Sequence, residues 1–461
     1  MSDPIQEYID LHRPAFLEGL CALVRRPTVS TDPAFAPHLV ACAEHLAEVG
    51  RGLGLEARVE PTPGHPCVVL QGPEVPGAPR VLLYGHYDVQ PAEDETLWHH
   101  PPFHPFVEDE KLYGRGASDN KGQVWAWLCA LEALQATRGR LPVNLSVLIE
   151  GEEEVGSPNL PGLLHRLKGE LAPDVAVISD TSTAVKFRPT MHYSLRGLVV
   201  FEVRVRTARL DVHSGVYGGT LPNAVRELTA LVARLHDGRG RVAVPGFYDR
   251  VLPMEAWERE ALEALPFDEA TYQAWLGATL HGEEGLSTNE RRWFRPTLEC
   301  NGIFGGYTGA GSKTIVPCTA TAKFSARLVA DQDPTHVMAC LRAWFEREAP
   351  PHVQLEFVAG DTGRPYLLAR EGAGERLFEA ARRAVRRGFG EEPLLCRHGG
   401  AIPITAEFQA ILGAPTLLLG LGSPDDAIHA PNEKFELANF YRGIRMAAEL
   451  LEALGDPSAP A

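Results

Sequence analysis

Residues 80–91 read RVLLYGHYDVQP. An apolar run from Val81 to Tyr84 stops at Gly85 and delivers His86, then Asp88, to the chain just beyond it. A short apolar run bounded by glycine and turn residues reads as a buried strand of a parallel sheet. The arrangement recurs. Glu153 and Glu154 follow NLSVLIEG (144–151), Asp180 follows VAVIS (175–179), His429 lies beyond TLLLGLG (416–422), and Asp119 follows LYGRGAS (112–118) and opens a helical stretch. Open α/β sheets bind ligands outside the carboxyl ends of their strands. These side chains, spread over more than three hundred residues, are therefore expected in one crevice. Two imidazoles and several carboxylates form a donor set that suits zinc, manganese or cobalt.

Outward from this stretch the grammar is βαβ. From the N-terminus to about residue 190, strand-like and helix-like runs alternate: CVVLQG, RVLLYGHYDV, a helix from Asn120 to about Thr137, NLSVLIEG and DVAVISD. That predicts an α/β fold with a mixed, mostly parallel sheet covered by helices. The pattern then changes. LRGLVVFEVRVRTA (195–208) alternates as a half-exposed strand does, and LPNAVRELTALVARLH (221–236) reads as an amphipathic helix with Pro222 near its first turn. TLECNGIF, TATAKFSARLVA, a helix from Pro334 and HVQLEFVAG complete a smaller α+β layer, one sheet with two helices on one face. After Gly363 the first grammar resumes with ERLFEAARRAVRRGFG, APTLLLGLG and NFYRGIRMAAELLEALG. The expectation is a catalytic domain of residues 1–195 and 363–461, interrupted by an inserted lid or dimerisation domain of residues 196–362. The stretch 244–296, rich in Trp, Pro and Glu, reads as a helical excursion.

Sixty acidic against forty-four basic residues leave a net charge of −16. That argues against nucleic acid as a partner, because phosphate binding needs a positive field, and against anionic membrane surfaces. The eight cysteines are scattered with no C-x-x-C pair, as buried thiols in a reducing cytoplasm would be. The N-terminus spaces Ile5, Ile9, Phe16, Leu20 and Leu23 like an amphipathic helix and carries acids where a secretory signal carries a basic region. No apolar run is long enough to span a bilayer. A cytoplasmic protein is expected.

Each candidate has a chemical role and an ordinary alternative. A ligating imidazole usually needs a carboxylate on its other nitrogen to fix its tautomer, and Asp88 is placed for that, although H-x-D alone is a weak motif. Asp119 could bridge two metals through its two oxygens, or simply cap a helix, where Asp is favoured anyway. In EGEEEVGS (150–157) three glutamates follow a buried strand. Acid runs are normally solvated faces, but here glycines on both sides make a tight loop. Glu154 would ligate while Glu153, its neighbour, would take a proton from a metal-activated water.

Taken together, YGHYDVQP, LYGRGASDNKG, EGEEEVGS, DVHSGVYGG, KFSARLV, RHGGAIP and HAPNEKF resemble the family of co-catalytic dizinc peptidases and deacylases that includes carnosine dipeptidases, aminoacylase-1, acetylornithine deacetylase and succinyl-diaminopimelate desuccinylase. The resemblance runs from about residue 80 to 435 and is nearest to the carnosinase-like dipeptidases. It implies that His86 and Asp180 bind one metal, Glu154 and His429 the other, and that Asp119 bridges them with a cis peptide to Asn120. It implies Glu153 as general base and acid and Asp88 as the residue orienting His86. It implies that His213, in the lid, reaches the substrate or its oxyanion in the partner subunit of a homodimer. Arg327 is implied as the clamp for a terminal carboxylate, a task suited to the guanidinium fork, with Thr314, Gly400 and residue 401 as further substrate contacts. Ala401 departs from the family's dipeptidases, which carry Ser there, and this bears on substrate range.

Other readings fail on particular residues. GYTGAGSKT (306–314) lacks a P-loop because Ser312 separates Gly311 from Lys313. GLGLEA (52–57) is too poor in glycine for a dinucleotide fingerprint. A structural, non-catalytic metal protein would be expected to have lost ligands or the base, and none is missing. Within enzymes, an N-acyl-amino-acid deacylase is the alternative to a dipeptidase, and DVHSGVYGG and KFSARLV favour the dipeptidase.

Overall fold

The computed structural model describes residues 3–400 and 402–456. They divide into two compact units, Met1–Tyr193 with Leu368–Cys396 and Glu407–Ala461, and Ser194–Leu367 with Arg397–Ala406. The principal strands are β1 (Glu56–Glu60), β2 (Cys67–Gln71), β3 (Arg80–His86), β4 (Asn144–Glu150), β5 (Val175–Ile178), β6 (Thr190–Leu195), β7 (Gly197–Arg206), β8 (Thr297–Gly305), β9 (Thr319–Leu328), β10 (Gln354–Gly363) and β11 (Thr416–Leu418). The principal helices are α1 (Pro4–Val24), α2 (Ala36–Gly52), α3 (Lys121–Arg138), α4 (Leu160–Leu171), α5 (Ala224–Ala233), α6 (Pro334–Glu348), α7 (Ala373–Phe389) and α8 (Leu437–Gly455).

The first unit is built on a sheet of order β1-β2-β4-β3-β5-β11-β6. Its middle is parallel: β3 pairs with β4 and β5, and β11 with β5. Its flanks are antiparallel, at β1-β2, β2-β4 and β11-β6. Tyr84 stands opposite both Leu148 and Ile178, and Ile178 opposite Leu418, so the four parallel strands end along one edge. From Val81 to His86 every residue of β3 is buried, as a strand covered on both faces must be. Helix α3 packs against α1 and α8. Ile5, Ile9, Phe16, Leu20 and Leu23 form the buried stripe of α1, and Asp3 caps it by accepting from the Ile5 and Gln6 amides.

The second unit holds an antiparallel sheet of order β8-β9-β7-β10. Strand β7 alternates as its sequence predicts, burying Val199, Phe201, Val203 and Val205. These share one core with Leu228 and Leu231 of α5 and with Leu341 and Phe345 of α6. Phe201 stacks on Phe324 and on Phe357, each at 4.8 Å, and Phe345 meets Phe201 edge-on at 6.0 Å. A buried phenylalanine contributes about 1.5–3 kcal/mol, whereas an exposed ion pair such as Arg226–Glu227 contributes about 0–1 kcal/mol. Each of these rings therefore contributes more than such an ion pair.

Two details differ from the sequence reading. Helix α5 begins after Asn223, whose side chain accepts from the Arg226 amide at 3.2 Å. Pro222 precedes the cap, because Asn is the stronger N-cap. The segment Arg397–Ala406 groups with the second unit, as do residues 363–367, while Leu368–Cys396 and Glu407–Ala461 group with the first. The Arg397 guanidinium donates twice to buried Glu258, at 3.0 and 2.6 Å, and the Gly400 carbonyl accepts from the Arg196 amide at 3.1 Å. Glu258 belongs to the excursion 244–296, which forms helices Ala256–Glu263, Glu269–Leu276 and Thr288–Trp293. Among the described residues no helix is long and apolar enough to cross a membrane.

Candidate metal centre

His86 is the last residue of β3 and is fully buried. Its Nε2 lies 3.2 Å from Asp119 Oδ1 and 3.6 Å from Asp180 Oδ1. The second oxygen of Asp119 lies 2.9 Å from His429 Nε2, which is 3.2 Å from Glu154 Oε2. Two donor groups result, His86-Asp119-Asp180 and Asp119-Glu154-His429, and Asp119 belongs to both.

Local structure explains each placement. Asp119 is not the cap of α3: the cap is Asn120, and the peptide between them is cis. With the cap at Asn120, the Asp119 carboxylate faces the two histidines instead. The Asn120 amide donates to Ser179 O at 2.7 Å and to Asp180 Oδ1 at 2.8 Å, which sets the Asp180 side chain. Glu153 and Glu154 occupy a single helical turn after β4, closed by Gly156 at φ 84°. Asp88 serves both sides of the centre. Its buried carboxylate accepts from the Glu153 and Glu154 amides at 3.2 and 3.1 Å. His86 Nδ1 lies 3.1 Å from the Asp88 carbonyl and 3.4 Å from its carboxylate, so the main chain is the nearer partner. His429 is half-exposed on a loop, in the left-handed region at φ 60°.

The donors fit divalent cations. Among the described residues His86 Nε2 is buried without a hydrogen-bond partner, although carboxylate oxygens surround it. An imidazole so aimed suits a ligand. Four carboxylates crowd the crevice and need positive charge between them. Burial pushes Asp180 up to about 6, and pushes Glu153 well above the usual carboxylate range, with Asp180, Asp119 and Glu154 adding to it against the opposing His86. Burial also acts to raise Asp119, but its bond to His429 and the neighbouring His86 ring outweigh that and hold it low. The bonds to Asp119 and Glu154 push His429 up to about 10. Another acidic group, Asp425, Asp426 and Glu436, is paired with Lys434 at 2.9–3.2 Å and with Lys186 at 2.6 and 3.1 Å, and is an ion-pair network. Neither Asn120 nor Glu433, both buried within the quoted motifs, stood out in the sequence, since their partners lie far off in the chain and follow no local pattern.

His213, Thr314, Arg327 and Gly400 lie in the second unit. The Ser214 amide donates to Thr314 O at 2.9 Å, and His213 pairs with Ile315, so His213 and Thr314 are adjacent. Exposed His213 accepts from the Gly215 amide through Nδ1 at 3.0 Å. A neutral ring there carries its proton on Nε2. The side chain of Arg327, on β9 opposite Leu198 and Thr297, has no hydrogen bond or ion pair among the described residues. Arg196 is close by. Burial pushes its guanidinium down to about 10, and the charges of Arg327 and Arg292 push in the same direction against Glu299. Ala401 lies outside the described residues.

Residues 82–453 match the model of peptidase family M20/M25/M40. A Cys-Gly metallodipeptidase of Candida albicans is 32% identical, over 98% of this chain and 97% of its own. A Beta-Ala-His dipeptidase of Rattus norvegicus is 34% identical, over 96% of this chain and 93% of its own. The crystal structure of human carnosine dipeptidase 1 superposes with a TM-score of 0.77 at 31% identity, covering 98% of each chain. Such agreement over nearly the whole length, with its two donor groups gathered at one sheet edge, means that the chain belongs to peptidase family M20/M25/M40.

Proposed function

We propose that this protein hydrolyses the amide bond of dipeptides or short peptides that carry a free C-terminal carboxylate, with two divalent metal ions as cofactor and zinc as the favoured ion over manganese or cobalt. The observation that carries this reading is Asp119, whose two oxygens face His86 and His429 at 3.2 and 2.9 Å. His86, Asp119 and Asp180 would hold one ion and Asp119, Glu154 and His429 the other. When bound, such ions polarise a carbonyl and make water acidic enough to ionise near neutral pH.

Glu153 acts on the proton. Its raised affinity for hydrogen suits a group that takes a proton from the attacking water and returns it to the leaving amine. Asp88 holds both ends of this arrangement, through His86 and through the Glu153 amide. Arg327, uncompensated beside Arg196 and Arg292, suits the terminal carboxylate of the substrate. His213 offers its Nε2–H to the developing oxyanion, with Thr314 and Gly400 beside the substrate. The protein acts as a homodimer in the cytoplasm. All eight cysteines are free, which agrees with a reducing compartment.

The similarity to dipeptidases favours this substrate class over N-acyl amino acids. A panel of dipeptides against N-acetyl and N-succinyl amino acids, run before and after chelation, tests it. Metal-dependent cleavage of dipeptides is expected. Preference for the acyl substrates would make the protein a deacylase, and an active, metal-free protein would remove the dimetal reading.

A further inference from the structure

His429 has little local support. It sits on an exposed loop, and both it and Asn432 are in the left-handed region, at φ 60° and 64°. Four residues on, the carboxylate of Glu433 is completely buried and turned toward another part of the chain. Its Oε1 accepts from the amides of Ser118, at 2.9 Å, and of Asp119 itself, at 3.0 Å. Its Oε2 accepts from the Gly116 amide at 3.0 Å and from Arg115 Nη1 at 2.8 Å. The Glu433 carbonyl also takes the Gly114 amide at 2.9 Å. Five bonds from one residue thus join the loop of His429 to the loop of Asp119. Arg115 extends the joint by donating to Pro91 O at 3.1 Å, on the segment that follows Asp88.

We propose that Glu433 is a positioning residue that keeps Asp119 and His429 in register, so that the Asp119-Glu154-His429 half of the centre binds its cation tightly. The inference rests on the two-metal reading above. Charge-assisted bonds from a buried carboxylate are about twice as strong as neutral ones, and without that carboxylate several buried donors have no acceptor. The other half shares Asp119 but depends on it less, through one donor and not two. Asp180 is set by Asn120 and His86 by Asp88, neither through Glu433. Removal of the Glu433 charge should therefore weaken one ion far more than the other.

Glu433→Gln tests this, because it preserves size while turning an amide NH2 toward two of the donors. Metal-depleted wild type and variant are titrated with zinc in competition with a chromophoric chelator, and the melting temperature of each metal-free protein is measured separately. Wild type should bind two ions tightly. The variant should bind one as wild type does and the other about 10–100-fold more weakly. Two wild-type affinities in a folded variant, even one with a lowered melting temperature, would make Glu433 merely structural and overturn the inference alone. Wild type that binds no zinc would overturn the two-metal reading and this inference with it. If Glu433→Gln yields no folded protein, Arg115→Lys loosens the same joint. Loss of affinity for a single ion is then expected, and two unchanged affinities would overturn the proposal.

Discussion

His429 Nε2 lies 2.9 Å from Asp119 Oδ2, although 310 positions separate the two residues in the chain. That bond, with the one to Glu154, holds the His429 pKa near 10, above the ordinary 6.5. In the metal-free protein the stabilisation from this proton is fully present below about pH 6.5 and is lost as pH rises through about 10. At pH 7 the ring is charged, and a ligating imidazole must be neutral. Zinc binding should therefore release about one proton from His429, and affinity should rise with pH from 7 toward 10. Calorimetry at pH 7 in buffers of different ionisation heat measures the release. Binding with no proton released would show that the metal displaces no proton from His429.

Glu153 sits beside the donor groups without belonging to either. Replacing it with Gln should lower kcat by about 10²–10⁴-fold while the metal content stays at the wild-type value. Turnover and elemental analysis of the same preparation decide it. Loss of the metals would reassign Glu153 as a ligand, and normal turnover would take it out of the mechanism.

Arg327 has no partner of its own among the described residues, which leaves its charge for a ligand. Arg327→Ala should reduce kcat/KM on dipeptides by at least tenfold, with a much smaller loss on substrates amidated at the C-terminus. Arg327→Lys should recover only part, because an ammonium cannot make two parallel bonds to a carboxylate. Equal losses on both substrate types would assign Arg327 to the stability of the sheet instead.

The proposal that two subunits share each active site is open to a complementation experiment. In a two-fold dimer each lid would donate His213 to the other subunit. Glu153→Gln and His213→Ala are each expected to be inactive. After subunit exchange, the His213→Ala chain keeps its own Glu153 and receives His213 from its partner, so one site per mixed dimer should recover. Activity should return toward a quarter of wild type for a random equimolar mixture, since about half of the dimers are mixed. No recovery despite demonstrated exchange, or a fully active monomer, would place His213 within its own chain.

Hydrophobic periodicity is local, and that is why much of this protein is legible in its sequence. The buried runs of β3, β4, β5 and β11 announce parallel strands, and a parallel sheet brings His86, Asp180 and the loops that carry Glu154 and His429 to one edge. The alternation of β7 likewise announces the smaller antiparallel layer. Hydrogen-bond partners far apart in sequence follow no period, and only the tertiary structure decided them. It made Asn120 rather than Asp119 the cap of α3, spread Asp88 between an imidazole and the Glu153–Glu154 turn, and drew Arg397–Ala406 into the second unit through Glu258. It also buried the Glu433 carboxylate against the Asp119 loop. A buried polar group must find its partner wherever the packed chain brings one, so its role is set by neighbours in space and not by its position in a motif.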